Sequence, residues 1–402
     1  MSRGRIVIVG GSMAGLFAAV ALRARGFEVS VHERAGEALA NRGAGIATHR
    51  ELYDAVRTAG IELRDEMGVE SRGRILFDRD GSIRHTHEMP QIMTSWGLIY
   101  RFLRAQVADD VYHGGATLSG IEPAADGVTA VFADGQRVAA DWLIGADGAR
   151  STVRALVAPE IVPAYVGYFG WRGLFDEARV PPAVLQQVAE RMAFGMAPGG
   201  HWLGYLVAGP DDDLTPGRRW YNWGWYRTAD ADSLRDHLTD AAGVCHEAGI
   251  PHHLIRPELV EAMRAEARAS LAPQIQAIVD ATPQPFLQGM FDFASERLVH
   301  DRVILIGDAA ATARPHVGMG VSKAAEDAST LAAALAEDTL DEWQAARLRY
   351  AHAVVAWGRD LGSYIGPQPD DPAHRTRAAH FQRPEVLLAA TAATNPAAYL
   401  GI

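Results

Sequence analysis

The sequence predicts an α/β fold: a Rossmann-like nucleotide-binding domain, interrupted by an inserted, mainly antiparallel β-sheet domain and completed by C-terminal helices. Three observations predict it. The segment Gly10-Gly11-Ser12-Met13-Ala14-Gly15 follows the apolar run Ile6-Val7-Ile8-Val9 and opens the small-residue run Leu16-Phe17-Ala18-Ala19, which is the order strand, tight turn, helix. Two further glycine-bearing segments, Gly145-Ala146-Asp147-Gly148 and Gly307-Asp308-Ala309-Ala310, each end an apolar strand far along the chain. Between those two the pattern changes to alternating segments dense in aromatics and glycine, as in antiparallel strands with one packed face.

Composition excludes several classes. The chain has 402 residues, 22% of them charged and 48% apolar, with a formal net charge of -11, and its length favours coupled domains over one. No Lys/Arg-rich tract stands beside interleaved aromatics, so neither nucleic acid nor an anionic membrane surface is the expected partner. Cys245 is the single cysteine, which excludes an intrachain disulfide framework and a thiolate metal cluster. No secretory signal or membrane span is visible, and the expected location is cytoplasmic.

The elements follow in order. Residues 5 to 9 read as a buried strand, 13 to 25 as its helix, and Glu28-Val29-Ser30-Val31-His32-Glu33 as the second strand. Glu33 lies 18 positions after Gly15, the spacing at which an acid at the end of the second strand reaches a ribose diol. The glycine-rich stretch Asn41 to Ile46 wraps the nucleotide in this reading, and a helix runs from about Thr48 to Ala59. Ser12 replaces the central glycine of the nucleotide fingerprint; serine is small and can cap the helix that follows. Leu98, Phe102 and Leu103 indicate a helix within Ser95 to Ala108, ahead of short strands near 111–112, 117–121, 128–132 and 137–144. Asp147 sits just beyond a strand end, with a helix cap as its alternative role.

Tyr165 to Phe175, Met192 to Met196, His201 to Ala208 and Trp220 to Arg227 read as the antiparallel strands. Six of nine tryptophans fall between Trp142 and Trp225. Trp171, Trp202, Trp223, Trp225, Tyr205 and Tyr226 are therefore candidates for a flat apolar pocket, with an aromatic core as the alternative. Helices are expected at about 231–243 and 257–269, a strand at Arg302 to Ile306, an alanine-rich helix through Ala324 to Leu335, and an amphipathic helix from about Leu340 to Leu361. The Pro/Gly-rich break at Gly366 to Pro372 precedes a terminal segment expected to pack on the surface or against a partner subunit. The expected division is 1–155 (nucleotide domain with a small β insertion), 156–295 (substrate domain), 296–365 (completion of the nucleotide domain) and 366–402.

The set Gly10 to Gly15, Glu33-Arg34, Gly145 to Gly148, Gly307 to Ala310, Pro315 and Gly318-Met319-Gly320 resembles the single-component FAD-dependent aromatic hydroxylases, the class of para-hydroxybenzoate hydroxylase. The likeness runs from residue 3 to about 350. Gly10-Gly11-Ser12, Tyr168 to Gly173 and Arg314-Pro315-His316 are most similar to the 2,6-dihydroxypyridine 3-hydroxylase branch. The resemblance implies bound FAD: Gly10, Ser12, Met13, Ala14 and Gly15 at its pyrophosphate, Glu33 on the adenosine ribose, Arg34 flanking adenine, Asp147 behind the cofactor, and Asp308 accepting from ribityl hydroxyls. Gly318, Met319 and Gly320 would start a helix aimed at the flavin N1–C2 carbonyl edge. Gly43 and Gly45 would permit ring movement. Two departures stand out: Trp96 where many members carry an arginine, and Ser322 where many carry an asparagine.

The implied activity is hydroxylation of an electron-rich aromatic or hydroxypyridine-like ring through a C4a-hydroperoxyflavin, with dioxygen and transient NADH or NADPH, NADH being favoured by the branch likeness. A homodimer is implied in the same way. Such chemistry needs an acceptor or base for the ring hydroxyl, and the candidates are His316, beside Pro315 in the loop nearest the flavin, then His201, Tyr205 and Tyr226. Arg172 and Arg314 are candidates for an anionic substrate group or for structural ion pairs. His252-His253 and His85-x-His87 have metal-ligand spacing but no further ligands, and no metal is expected. Alternatives are epoxidation or oxidative tailoring of a conjugated natural product, and an FAD-dependent reductase without oxygen insertion.

Overall fold

The computed structural model describes residues 3–36, 39, 45–58 and 67–393. Its first sheet has six strands in the order Val299–His300, Val303–Leu305, Trp142–Gly145, Arg5–Val9, Glu28–Glu33 and Tyr112–Gly114. All its pairs are parallel except the first. Ile6, Ile8, Leu143, Ile144, Ile304 and Leu305 are fully buried, as expected for strands covered on both faces. The helices Met13–Ala24 and Gly320–Glu337 cover this sheet with their alanine-rich faces.

The second sheet is larger and mixed. Its order is Gly249–Ile250, Phe286–Ala294, Ala164–Asp176, Trp220–Thr228, Gly200–Val207, Arg191–Ala197, Val69–Phe77, Ile83–Ser95 and Gly45–Ala47, with Ala311–Thr312 added at Phe286–Ala294. Only Arg191–Ala197 against Val69–Phe77 is parallel; the other pairs are antiparallel. The hairpin Val69–Phe77 and Ile83–Ser95 has no counterpart in the sequence reading. Its second strand, IRHTHEMPQIMTS, is mostly exposed or half-exposed and carries a proline, so it offers little apolar alternation. A three-stranded antiparallel sheet, Leu118–Ala124, Gly127–Phe132 and Arg137–Ala140, packs beside the first.

The helix expected at 231–243 ends at His237, where Leu238 leads into the turn that Asp240 makes with the amides of Ala242 and Val244. The helix expected from Thr48 begins at Arg50 and is described to Thr58. Gly43 and the stretch from Asn41 to Ala44 lie outside the described residues.

The terminal segment folds back on its own chain. Helices Pro372–Phe381 and Pro384–Ala390 bury Ala378, Phe381, Leu387 and Leu388 in the cluster that holds Val317 and Met319. Arg74, fully buried on the strand Val69–Phe77, donates to the carbonyls of Leu388 at 2.5 Å, Thr391, and Ala392 at 3.3 Å, and to Gln91 Oε1 at 3.1 Å. Burial lowers its pKa to about 10, which leaves it charged at neutral pH. A cation at a helix C-terminus satisfies the last carbonyls and complements the dipole. Replacing Arg74 by methionine is therefore expected to cost about 3 kcal/mol, by leaving buried carbonyls unsatisfied. Denaturant unfolding should register that loss, together with faster proteolysis after residue 366.

Candidate active site

The three glycine turns meet at the carboxyl ends of adjacent strands. Gly10 has φ +109°, and a Cβ there would lie 2.4 Å from the carbonyl oxygen of Ala146. A Cβ on Gly15 would lie 1.8 Å from the carbonyl oxygen of Gly10, so the first helix rests directly on the end of its strand. Ala146 N–H donates to Val9 O at 2.8 Å, and Ile306 N–H donates to Gly145 O at 3.0 Å. A Cβ on Gly307 would approach the Ala14 methyl to 2.7 Å, which closes the set. Ligands of open α/β sheets bind at such strand ends.

The polar groups around this junction have distinct tasks. The buried Glu33 carboxylate accepts from Gly11 N–H at 2.8 Å and Ala35 N–H at 2.9 Å, so it braces the turn it borders. Tyr112 O–H donates to Gly11 O at 3.2 Å. Asp147 accepts from Ser151 Oγ, from Thr152 N–H at 2.7 Å and from Val153 N–H at 3.1 Å; geometrically it caps the helix Thr152–Val157. Desolvation raises its carboxyl above the usual range. Arg34 is exposed. Ser12 stands at the N-cap of its helix, but its side chain makes no capping bond, contrary to the role expected for it. Met319, at the N-cap of Gly320–Glu337, likewise provides no side-chain cap. Both helix starts thus present backbone amides without a side-chain acceptor, as an anionic or carbonyl-bearing ligand requires.

Asp308 is accessible to solvent, and its carboxylate accepts no hydrogen bond among the described residues. The surrounding protein still excludes enough water to raise its carboxyl, an effect that Lys323 opposes and Asp327 reinforces. A close-packed backbone cradle, two helix starts without side-chain caps and an acid without a hydrogen-bond donor fit an extended dinucleotide carrying hydroxyls near Asp308.

A second cluster lies on the larger sheet. Side chains alternate across a strand, so Trp202, Trp223, Trp225 and Trp171 share one face and Tyr168, Arg172, His201, Tyr205 and Tyr226 share the other. The tryptophans are core: all are at most 3% exposed, they pack in one cluster with Met263, Ile275 and Ile278 of the covering helices, and Trp223 Nε1 donates to Thr282 Oγ1 at 2.8 Å. This corrects their reading as pocket residues, and the tyrosines separate from them.

On the opposite face, His316 Nε2 is 2.8 Å from Tyr168 Oη, and His201 Nδ1 is 2.5 Å from Tyr364 Oη. The ring centroids of His316 and Tyr226 are 4.5 Å apart, and those of His316 and His201 are 5.4 Å apart. The other ring nitrogens, His316 Nδ1 and His201 Nε2, are buried without a partner among the described residues. Arg172 lies beside them with its Nη2 3.4 Å from Tyr226 Oη, and it has no carboxylate partner among the described residues. Arg314 differs: its Nε donates to buried Asp292 at 2.8 Å, as does Arg359. Gly45 N–H donates to Asn222 Oδ1 at 2.9 Å, and a Cβ on Gly45 would touch Tyr205, so this turn abuts the same face. Pro315 opens a short 3₁₀ turn, Gly318 is left-handed at φ +65° with its carbonyl 3.1 Å from His49 Nε2, Ala392 N–H donates to His316 O at 2.8 Å, Met319 is buried, and Gly320 is exposed.

Several residues here carried no motif in the sequence reading. Arg154, 4% exposed, donates to Ala149 O at 2.6 Å and Ala309 O at 3.1 Å and ties the second turn to the third. Lys323 and Asp327 are buried one helical turn apart, and that spacing on an otherwise apolar helix face was the available signal. Tyr168 stood only within the branch-like segment Tyr168 to Gly173, with no role of its own, and Tyr364 had no signal. Among the described residues, no group of three or more histidine, cysteine or acidic side chains is arranged to hold a metal, and no helix is long and apolar enough to cross a membrane.

Comparison with known proteins agrees with this geometry. A family profile described as FAD binding domain-like matches residues 165–292. A 2,6-dihydroxypyridine 3-monooxygenase of Paenarthrobacter nicotinovorans is 30% identical over 397 residues, covering 95% of this chain and 98% of that one. An aurachin C monooxygenase/isomerase of Stigmatella aurantiaca is 30% identical, covering 89% and 88% of the two chains. The structure of 2,6-dihydroxypyridine-3-hydroxylase from Arthrobacter nicotinovorans superposes with a TM-score of 0.85 at 30% identity, covering 93% of this chain and 96% of that one. Klebsiella pneumoniae HpxO, solved with FAD and uric acid, shares the fold with a TM-score of 0.73 at 23% identity, covering 94% and 92%. The chain belongs to the single-component FAD-dependent monooxygenases that act on aromatic and heteroaromatic rings, and it binds FAD.

Burial lowers the pKa of His201 to about 3, and burial, with the competing His201 imidazole and the positive charges of Arg314 and Arg172, holds His316 well below its ordinary value. Both imidazoles are neutral in the native state at pH 7. Their unfolded forms take up protons near pH 6.5, so native stability is lost as pH falls through that value, by up to about 1.4 kcal/mol per pH unit for each histidine. Urea unfolding at pH 7.5 and 5.5 should reveal this loss, and it should shrink in His201→Gln. An imidazole NMR signal assigned to His201 and titrating near pH 6.5 would contradict it.

Proposed function

We propose that this enzyme hydroxylates an electron-rich ring bearing an ionisable hydroxyl, a phenol or hydroxypyridine, at the cluster of Tyr168, Arg172, His201, Tyr205, Tyr226 and His316. The reading is carried by the pair of buried, neutral imidazoles whose free nitrogens have no partner among the described residues, beside a guanidinium that has no carboxylate partner among them. Buried polar atoms without partners are rare and costly, which favours a ligand that completes them.

The roles follow from charge and hydrogen bonding. His316 Nδ1 and His201 Nε2 hydrogen-bond ring hydroxyl or ring nitrogen groups, and Tyr168 and Tyr364 hold the far nitrogen of each imidazole and so set its orientation. A ring attacks electrophilic oxygen better once its hydroxyl has lost its proton, and Arg172 supplies the positive charge that stabilises the resulting anion. At about 4 Å and an effective dielectric near 20 that attraction is about 4 kcal/mol before desolvation costs. Burial of the cluster excludes water from the reacting ring.

In the same reading, Gly10, Ser12, Met13, Ala14 and Gly15 hold the FAD pyrophosphate through backbone amides, Glu33 and Arg34 border the adenosine, Asp308 accepts ribityl hydroxyls, and Gly318 to Gly320 and Gly45 border the ring. Asp147 supports that site through the helix it caps. Bound FAD would supply the redox chemistry, with reduced nicotinamide as the hydride donor, one atom of dioxygen going to the ring and the other leaving as water. NADH is the proposed donor, and a homodimer the proposed assembly. Residues 1–155 and 296–365 form the nucleotide part and 156–295 the substrate part, with strands between residues 45 and 95 joining the larger sheet and residues 366–393 closing over it.

The test is to mix the yellow protein anaerobically with NADH and a panel of hydroxypyridines and phenols, follow flavin bleaching, then admit oxygen and weigh the product. Substrate-stimulated bleaching and a mass gain of one oxygen from dioxygen are expected; bleaching without oxygen insertion would favour a reductase. Arg172→Met should retain flavin and lower kcat/KM for the hydroxylated ring about 10- to 100-fold. His316→Ala should stay yellow and consume NADH with less product per turnover.

A further inference from the structure

Lys323 is 2% exposed on the first turn of the helix Gly320–Glu337, and nothing in the proposed chemistry uses it. A lysine is almost never fully buried unless it is paired. Its ammonium donates to Gly307 O at 2.6 Å and to Asp327 Oδ2 at 3.2 Å. The same Asp327 oxygen accepts from Gly307 N–H at 2.9 Å, while Oδ1 accepts from Arg347 Nε at 2.7 Å. Both polar groups of the Gly307 backbone are thus gripped by one ion pair, at a residue whose φ of +59° only glycine adopts freely. Asp308 is the next residue.

We propose that Lys323 and Asp327 form a clamp on Gly307 that aims the Asp308 carboxylate at the flavin ribityl chain, with Lys323 as a positioning residue. The proposal rests on the assignment of Asp308 to FAD. The clamp acts through two links. Its geometric link is the pair of bonds to Gly307, which leaves the following side chain little freedom to turn away. Its electrostatic link is the ammonium charge, which works against the desolvation of Asp308.

The other charges around the turn are accounted for. Asp327 opposes Lys323 in its effect on Asp308 and is itself held by Arg347, which also bonds Glu326 at 3.1 Å. On the opposite side Arg154 donates to Ala309 O at 3.1 Å. Removing the lysine charge leaves Asp327 facing Asp308 with less compensation, so the Asp308 pKa rises. A protonated Asp308 accepts from ribityl hydroxyls more weakly and at fewer sites than its carboxylate, so FAD is lost at a higher pH than before.

The experiment dilutes purified holoenzyme across pH 5.5 to 8.5 and measures FAD release by recovery of its fluorescence, with far-UV circular dichroism as the check on folding. For Lys323→Met the FAD dissociation constant should rise about tenfold at pH 7.5, the loss of one charge-assisted hydrogen bond. The acidic limb of retention should also move up by about one pH unit. Lys323→Gln, which keeps a donor but not the charge, should recover part of the affinity at pH 7.5 and none of the shift in the acidic limb. A folded Lys323→Met protein with unchanged affinity and an unmoved limb would overturn the clamp. If Lys323→Met does not fold, Lys323→Gln decides by the same limb. Asp308→Ala separates the two ideas: unchanged FAD retention in that variant rejects the Asp308 assignment itself, whereas weakened retention in it alone rejects only the clamp.

Discussion

Backbone packed on backbone at Gly10 is the constraint on which the rest of this structure depends. The approach of Gly15 to the Gly10 carbonyl and of Gly10 to Ala146 leaves no room for a side chain at either glycine. Three turns from distant parts of the chain can therefore share one end of the sheet. Their alignment is reinforced from outside by buried charge: Arg154 spans the second and third turns, and the Lys323–Asp327 pair holds the third. Buried ions are costly unless they are well bonded. Here Lys323 and Asp327 are bonded to backbone as well as to each other, and Arg154 to backbone carbonyls, so charge fixes geometry where small residues cannot.

The larger sheet divides its two faces between stability and chemistry. One face is filled by tryptophans and aliphatics against the helices Pro257–Ser270 and Pro273–Ala281, while the other gathers histidines, tyrosines, Arg172 and Arg74. The split follows from the two-residue period of a strand: in the run Trp223-Gly224-Trp225-Tyr226, successive residues alternate between core and cluster. Small Gly224 leaves space for the Arg172 guanidinium, whose Nη1 would lie 3.3 Å from a Cβ at that position.

Much of the nucleotide fold was legible in the sequence because its strands are continuous apolar runs and its turns carry glycine where a Cβ cannot fit. The antiparallel strands from Tyr165 to Arg227 were legible for the same kind of reason, through alternation. Assignment of each face was not, since period alone says that Trp225 and Tyr226 oppose one another but not which meets the helices. The hairpin Val69–Phe77 and Ile83–Ser95 escaped because its outer strand is polar on both sides, and its buried arginine resembles a surface residue until its acceptors are known. His316 and His201 were legible as residue types of interest. Their partners Tyr168 and Tyr364 come from positions 148 and 163 residues away, and no local pattern encodes such pairings.

Arg74 and its first acceptor, Leu388 O, are 314 residues apart, so one end of this contact exists long before the other during synthesis. Until the helices Pro372–Phe381 and Pro384–Ala390 are in place, the Arg74 guanidinium must donate to water instead. The wall those helices form beside Gly318 thus depends on a contact made across most of the chain. Loosening of these helices would strip Arg74 of its carbonyl acceptors and uncover that turn while leaving the early strands paired.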